Sequence, residues 1–276
     1  MEKFNPNFTS LIDLEMPFKD VQFSEKDHSY KINGESAKYS VTKLLHKYQK
    51  EFPETIIATA VSKREGITVD DVLEKWSFQR DYANHKGTEF HLFVENFLMR
   101  KKCSIDKDAI VKFFKDRPNF NSEDSVEKYY KDIAKMLKYF LEFYDWYKED
   151  YHLIKSEFVV GDPRTKLVGT MDNLSFNKKT NELVIFDYKT NKKINKISKY
   201  KNKLLQPLQH LDDCEYNKYS LQIWLYKLIL ERNTPFSIGD SYILWFSGEG
   251  YEKIKVPDFR KEAELILEIE EKNIEM

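Results

Sequence analysis

The sequence predicts an α/β fold, or α+β by a stricter label, in which helices flank a central mixed sheet and a mostly helical portion comes first. Helical apolar patterns dominate residues 1–150, strand-like runs and one helix occupy residues 151–258, and an amphipathic pattern covers residues 259–276. The chain has 276 residues, of which 41% are hydrophobic, so it can bury one good core. We therefore expect a single domain over residues 1–276.

The N-terminal portion is predicted to begin with a hairpin and to continue with five helices. Strand-like residues 21–24 and 29–32 flank the polar residues 25–28. Ser40 is suited to begin a helix, and the sequence from Thr68 to Asp71 resembles a capping box. The expected helices cover residues 40–50, 53–63, 68–83, 85–101 and 123–148, with a polar segment containing Pro118 before the last.

Apolar runs separated by turn residues predict the sheet. Residues 166–176 and 182–188 form an expected antiparallel hairpin, which residues 153–160 precede as a strand. The continuous apolar run 183–186 indicates a strand that is buried on both faces. A buried helix at 219–230, strands at 241–246 and 251–256, and a helix at 262–275 that turns Leu265, Ile266 and Ile269 inward complete the prediction.

The predicted hairpin carries the most informative polar residues of the chain, Asp172, Asp187 and Lys189. Side chains alternate along a strand, so Asp187 and Lys189 share one face while Tyr188 points to the other. The hairpin pairing brings Asp172 alongside Asp187, and hard carboxylate oxygens suit Mg²⁺ or Mn²⁺. A metal with a neighbouring lysine is suited to phosphodiester hydrolysis. The alternative is a surface hairpin whose Asp and Lys only pair with each other.

Three upstream residues extend this pattern. Glu157, on the preceding strand, is a third candidate carboxylate, although an exposed strand residue opposite a lysine is an equal alternative. Gly87 and His91 are four residues apart and share a helix face, where a glycine permits close approach of a backbone or a phosphate. His91 is a candidate metal ligand only together with Asp172 and Asp187, because a lone helical histidine is more often structural.

Downstream, Gln222 and Tyr226 share a face of a helix that is apolar nearly all round. Their polar ends need partners if they are buried, and a phosphate, a metal-bound water or a neighbouring strand would each serve.

In chain order, these residues form the series Gly87-x-x-x-His91, Glu157, Gly169-Thr-x-Asp172, Asp187-x-Lys189 and Gln222-x-x-x-Tyr226. The series resembles the RecB-like branch of the PD-(D/E)XK nuclease superfamily, which includes phage exonucleases and the mitochondrial genome maintenance exonuclease. It spans about the central half of the chain. The segment from His28 to Gly34, followed by residues 40–45, is also similar to phage members.

The resemblance implies a restriction-endonuclease-like sheet and a role for each residue of the series. It implies that His91, Asp172, Asp187 and the carbonyl of Tyr188 hold the metal, that Glu157 supports the metal or its water, and that Lys189 is the catalytic lysine. Gln222 and Tyr226 would lie on the helix that touches the nucleic acid.

The chain departs from the family pattern in two respects. Met171 stands before Asp172 where many family members have proline. Cys103 and Cys214 are the only cysteines, so the four-cysteine iron-sulfur cluster of some relatives is not expected. A Walker-type loop is absent as well, so any helicase or recombination partner would be a separate chain.

The net charge of −1 argues against indiscriminate nucleic-acid binding, so the distribution of charge matters more than its sum. Residues 189–203 contain seven lysines and no acidic residue, and Lys192, Lys193 and Lys196 are candidates for phosphate contact. A solvated lysine-rich loop is the alternative. With no apolar run long enough for a signal peptide or a membrane span, we expect a soluble, intracellular protein. The resemblance implies that it belongs to a bacterium or a phage-infected cell.

Together these features predict a metal-dependent DNA exonuclease that acts on single strands or DNA ends in replication, recombination or repair. A structure- or site-specific endonuclease on the same fold is one alternative, and a catalytically silent nucleic-acid-binding protein is another.

Overall fold

A small antiparallel sheet precedes the main body in the computed structural model, which describes residues 14–24, 27 and 29–275. It consists of β1 (Val21–Ser24), β2 (Ser29–Ile32) and β3 (Glu35–Ser36). The predicted N-terminal hairpin is therefore confirmed, while residues 25, 26 and 28 of its turn lie outside the described residues.

The main sheet is mixed, as predicted. Its strands are β4 (Tyr39–Ser40), β5 (Tyr151–Asp162), β6 (Leu167–Asn177), β7 (Glu182–Lys189), β8 (Tyr242–Phe246) and β9 (Tyr251–Lys255). Strands β5, β6 and β7 are antiparallel neighbours, β8 runs parallel to β7, and β9 closes the edge beside β8. One edge of β6 pairs first with β4, at residues 167–168, and then with β7, at residues 173–177. Residues 169–172 lie in the gap between these two partners.

The helices of the described residues are α1 (Val41–His46), α2 (Glu54–Glu65), α3 (Val69–Leu98), α4 (Lys107–Lys115), α5 (Glu123–Asp150), α6 (Glu215–Asn233) and α7 (Arg260–Glu275). The predicted break between residues 83 and 85 is wrong, because α3 is continuous. Neither proline nor a cap interrupts it, and one interior glycine costs only about 1 kcal/mol. The predicted capping box at Thr68 is confirmed.

Two further predictions need correction. Residues 102–122 are not simply an irregular segment, because Asp106 caps helix α4 and the apolar side chains of that helix pack against α5. In α7, Leu265 is 39% exposed and does not face the core, whereas Ile266 and Leu267 are fully buried. The two adjacent buried positions rotate the apolar stripe away from Leu265.

The sheet lies between two helical layers. Helices α1, α6 and α7 cover one face, where Leu183 and Ile185 of β7 are buried, and helices α3 and α5 cover the other face, where Phe186 and Tyr188 are buried. Strand β7 is thus buried on both faces, as its apolar run predicts. No helix within the described part of the chain combines the length and the apolar character that crossing a membrane requires.

Candidate metal centre

Three potential ligands meet where α3, β5 and β6 come together. One ligand atom from each of His91, Glu157 and Asp172 lies within 4.8 Å of the other two. His91 Nδ1 is 3.5 Å from Asp172 Oδ1 and 3.7 Å from Glu157 Oε1. The structure therefore brings together three residues that are separated by up to 81 positions in the sequence.

Strand β6 changes its side-chain alternation at Asp172. Met171 and Leu174 both pack on the α6 side of the sheet, whereas Asn173 donates a hydrogen bond to the Tyr188 hydroxyl on the opposite side. Asp172 lies at this irregularity, beside the gap between β4 and β7. Its Oδ2 accepts a hydrogen bond of 2.6 Å from the Tyr188 backbone N–H, which fixes the carboxylate.

Asp187 and Lys189 share a face of β7, as predicted. Lys189 Nζ is 2.5 Å from Asp187 Oδ2, and the Tyr188 side chain points into the aromatic core on the other side. Asp187 is only 1% exposed, and its Oδ1 accepts a long hydrogen bond of 3.4 Å from Gln222 Nε2. The alternative of a surface hairpin is thereby excluded, because both charged groups are largely buried.

Two effects set the pKa values of the groups in the centre: burial, which disfavours every charged form, and nearby opposite charges, which favour it. Burial disfavours the charged imidazole of His91, but Asp172 and Glu157 outweigh it and raise the pKa of His91 to about 10. Burial raises the pKa of Asp187 to about 6 and also raises the pKa of Glu157. Burial acts in the same direction on Asp172, yet His91 and then Lys189 hold its pKa below the usual range.

The donor set fits a hard divalent cation. The centre holds three carboxylates, those of Glu157, Asp172 and Asp187, against the cationic groups of His91 and Lys189, and a divalent cation that replaced the His91 proton would balance the excess negative charge. Asp187 Oδ2 is buried against Lys189 Nζ, and among the described residues Asp187 Oδ1 accepts only the long bond from Gln222, so the carboxylate retains lone pairs that a cation could use. The ligand atoms of His91, Glu157 and Asp172 lie close enough together for one ion to contact all three.

Glu157 adopts an unusual backbone conformation for a strand residue. Its φ of 48° lies in the left-handed region, which a non-glycine residue enters at a cost of about 1–2 kcal/mol. This conformation aims the carboxylate at His91. Strain of this kind accumulates at functional sites, where surrounding structure holds it in place.

Helix α6 and strand β6 are in close contact at Gly169. A Cβ at that position would lie 2.5 Å from Tyr226 Cε1, so only glycine fits. Tyr226 is 3% exposed, and its hydroxyl accepts a 3.2 Å hydrogen bond from Gln222 Nε2. Gln222 and Tyr226 share a face of α6, as predicted, and the hydrogen bond to Tyr226 helps to fix the Gln222 side chain. Direct contact of either side chain with a nucleic acid stays a prediction.

A cleft of about 780 Å³ opens beside the cluster. His91 and Glu157 lie in its wall with Gly87, and a Cβ at Gly87 would approach Thr190 Oγ1 to 3.3 Å. The neighbour at this glycine is a side chain of the loop after β7 rather than a backbone, and the contact of Gly87 with phosphate stays a prediction.

Sequence reasoning missed other residues that line the cleft or contact the centre. Tyr219 places its ring 4.7 Å from Lys189 Nζ, a cation–π distance, and its spacing of three residues from Gln222 was an available signal. Tyr30 and Thr170 also line the cleft, and both lie in segments that the resemblance includes, although neither was identified as a site residue. Other missed residues of the cleft, for which the sequence offered no pattern, are Phe23, Asn84, Thr190 and Asn191.

The lysine-rich segment forms an irregular loop after β7. Lys192 and Lys193 are exposed, and Lys196 lies 3.9 Å from Glu252. Elsewhere the loop is tied down, since Lys203 pairs with Asp212 at 2.5 Å. The first two lysines therefore remain the best placed for phosphate contact, which stays a prediction.

Comparison with protein-family models matches residues 66–270 to the PD-(D/E)XK nuclease superfamily. The match covers about three quarters of the chain and contains every residue of the candidate centre. A search of the curated proteins finds no match.

Proposed function

The chain belongs to the PD-(D/E)XK nuclease superfamily, and on this basis we propose that it is a metal-dependent DNA exonuclease of the RecB-like branch. The observation that carries the proposal is the convergence of His91, Glu157 and Asp172 next to the buried Asp187–Lys189 pair. Membership of the superfamily implies a nuclease with a nucleic-acid substrate and a divalent metal. Exonuclease action on single strands or DNA ends is the finer part of the proposal.

Each residue of the centre has a distinct proposed role. His91, Asp172, Asp187 and the Tyr188 carbonyl would hold Mg²⁺ or Mn²⁺, with Glu157 in support. When bound, such an ion supplies Lewis acidity toward a phosphoryl oxygen.

Lys189 would orient the attacking water and offset negative charge on the phosphate. Burial opposes its ammonium form, but Asp187 outweighs burial and raises the pKa of Lys189. The charged lysine is therefore suited to donate hydrogen bonds. Gln222 connects Asp187 to Tyr226 and would keep the Asp187 carboxylate in place.

The dimensions of the cleft favour a single strand over a duplex. Its volume of about 780 Å³ lies within the range of roughly 300–1,000 Å³ that is usual for small-ligand pockets. Such a space suits one or two nucleotides. Lys192, Lys193 and Lys196 on the following loop would contact the phosphates that lead away from it.

We also propose that the described residues act as one nuclease domain, because β4 of the N-terminal portion pairs with β6 of the catalytic sheet. A role in replication, recombination or repair in a bacterium or phage, together with a separate helicase or recombination protein, completes the proposal.

A digestion series tests the proposal. End-labelled linear single-stranded DNA, duplex DNA and RNA are incubated with the protein in Mg²⁺, in Mn²⁺ and in EDTA. We expect metal-dependent release of nucleotides from linear single-stranded DNA. Circular single-stranded DNA should be spared by an exonuclease, so its cleavage would indicate an endonuclease instead.

The Asp187→Ala variant is the control for contaminating nucleases. Cleavage should disappear in this variant while its circular dichroism spectrum stays unchanged. If the wild-type protein binds Mn²⁺ and DNA but cleaves no substrate, the catalytically silent alternative is favoured.

A further inference from the structure

We propose that Phe23 and Tyr30 of the N-terminal hairpin form a stacking site for one unpaired nucleobase beside the candidate metal centre. The proposal rests on the proposed nuclease function and adds how the substrate strand is held. It assigns a binding role to an element that contributes no residue to the centre itself.

The inner half of the hairpin anchors it to the main sheet. Val21 pairs with Ile32 across the hairpin, and the side chains of both approach Gly161 of β5. A Cβ at Gly161 would lie 3.1 Å from Ile32 Cδ1 and 3.2 Å from Val21 Cγ1. The base of the hairpin is thus held tightly against the strand that carries Glu157.

The outer half carries the aromatic pair on the same face. Phe23 is the cross-strand partner of Tyr30, and pairs two residues apart along a strand share a face. Their ring centroids are 4.6 Å apart with an interplanar angle of 37°. Val21 and Ile32 face the main sheet, so Phe23 and Tyr30 lie on that same face of the hairpin. Both aromatic residues form part of the wall of the cleft.

A hydrogen bond places the aromatic pair close to the centre. The Tyr30 hydroxyl is 3.0 Å from Thr170 Oγ1, and Thr170 precedes Asp172 by two residues on β6. Two residues along a strand span about 7 Å, which is about two stacked nucleotides at roughly 3.4 Å each. A base on these rings would therefore belong to a nucleotide within about two positions of the phosphate at the centre.

The chemistry of the pair suits a base more than a charged or aliphatic group. Thr170 already bonds the hydroxyl of Tyr30, and the part of Phe23 that is exposed is apolar ring. Phe23 is 36% exposed at the mouth of a cleft whose other wall is polar, with Asn84 and Thr88 from α3. Aromatic faces stack on any unpaired base, whereas the faces of duplex bases are already covered.

A purely structural explanation is available, since aromatic cross-strand pairs stabilise sheets by roughly 0.2–1 kcal/mol. The two explanations differ in what a substitution at Phe23 changes. A structural pair affects the stability of the hairpin and acts equally on every substrate. A stacking site affects only substrates that carry a base at the stacked position.

Steady-state hydrolysis in Mn²⁺ separates the two explanations. The variants are Phe23→Leu, Phe23→Trp and the control Tyr251→Leu, whose side chain has a similar exposed fraction of 37% and lies outside the cleft lining. The substrates are linear single-stranded DNA and a strand of the same length whose terminal nucleotides are abasic.

We expect Phe23→Leu to raise KM for the normal strand about 5- to 100-fold, with kcat unchanged, because one stacked base contributes that much affinity. In Phe23→Leu, KM for the abasic strand should not change. Phe23→Trp should retain the wild-type KM for the normal strand, and Tyr251→Leu should retain the wild-type KM for both strands.

An unchanged KM in Phe23→Leu, or an equal rise for both strands, overturns the stacking site while leaving the nuclease function intact. If Phe23→Leu fails to fold, Phe23→Trp provides the test. A KM for the normal strand that is higher in Phe23→Trp than in the wild type would contradict stacking on this ring. A wild-type protein that cleaves neither strand overturns the nuclease proposal, and the stacking site with it.

Discussion

Gly169→Ala tests the packing that supports the candidate centre. The added Cβ would stand 2.5 Å from Tyr226 Cε1 and 2.9 Å from its hydroxyl oxygen, whereas ordinary carbon contacts are about 3.5–4.0 Å. Tyr226 is buried and its hydroxyl accepts from Gln222, so the ring cannot turn aside without losing that bond. The overlap of about 1 Å must therefore displace α6 or β6.

Overpacking of this kind costs about 1–3 kcal/mol in the free energy of unfolding. Gly248→Ala is the matched control, because no heavy atom lies within 4 Å of its added Cβ, and its effect should stay within about 0.5 kcal/mol. Gln222 would shift together with Tyr226 and release Asp187, so we also expect slower hydrolysis by Gly169→Ala.

Urea unfolding followed by circular dichroism measures both variants. The double variant Gly169→Ala/Tyr226→Leu should lose less free energy than the sum of the single variants, because leucine removes the clashing ring atoms. If Gly169→Ala is as stable as Gly248→Ala, the close approach of α6 to β6 described above is incorrect.

Two further predictions concern strain and pH. Glu157→Gly should raise the free energy of unfolding of the metal-free protein by about 1 kcal/mol, because glycine adopts the left-handed backbone conformation without strain. The same variant should bind Mn²⁺ at least tenfold more weakly. Urea unfolding measures the first effect and calorimetry the second, and a loss of stability would contradict the strain at Glu157. Burial lowers the pKa of His85 below 6.5, so the folded protein binds fewer protons there than the unfolded chain and loses stability as pH falls through 6.5. In urea unfolding at neutral and mildly acidic pH, His85→Gln should lose less stability on acidification than the wild type, and equal losses would argue against this role.

The fold was predictable where local patterns dominate. Apolar runs bounded by turn residues predicted β6, β7 and β8, and the Thr68 capping box predicted the start of α3. The break predicted inside α3 was wrong, because a glycine alone does not end a helix that packing supports. Helix α4 was missed although Asp106 can cap it and its sequence is amphipathic, because it is short and lies within a polar segment; its apolar side chains are buried against α3 and α5.

The candidate centre was predictable in part for similar reasons. Strand alternation alone placed Asp187 and Lys189 on one face. His91 was identified through a family resemblance, since no local pattern distinguishes a ligand histidine from a structural one. The left-handed conformation of Glu157 and the contact from Tyr30 to Thr170, 140 residues apart, depend on tertiary structure that sequence periodicity does not contain.

Hydrolysis of linear single-stranded DNA by Lys189→Met tests the proposed centre most directly. Lys189 is largely buried beside Asp187, and methionine keeps much of its shape while removing the ammonium group. We expect the hydrolysis rate in Mn²⁺ to fall at least about 100-fold, a usual effect of losing a positioned proton donor, while Mn²⁺ binding by calorimetry persists. Undiminished hydrolysis by a folded Lys189→Met protein would show that the chemistry occurs elsewhere.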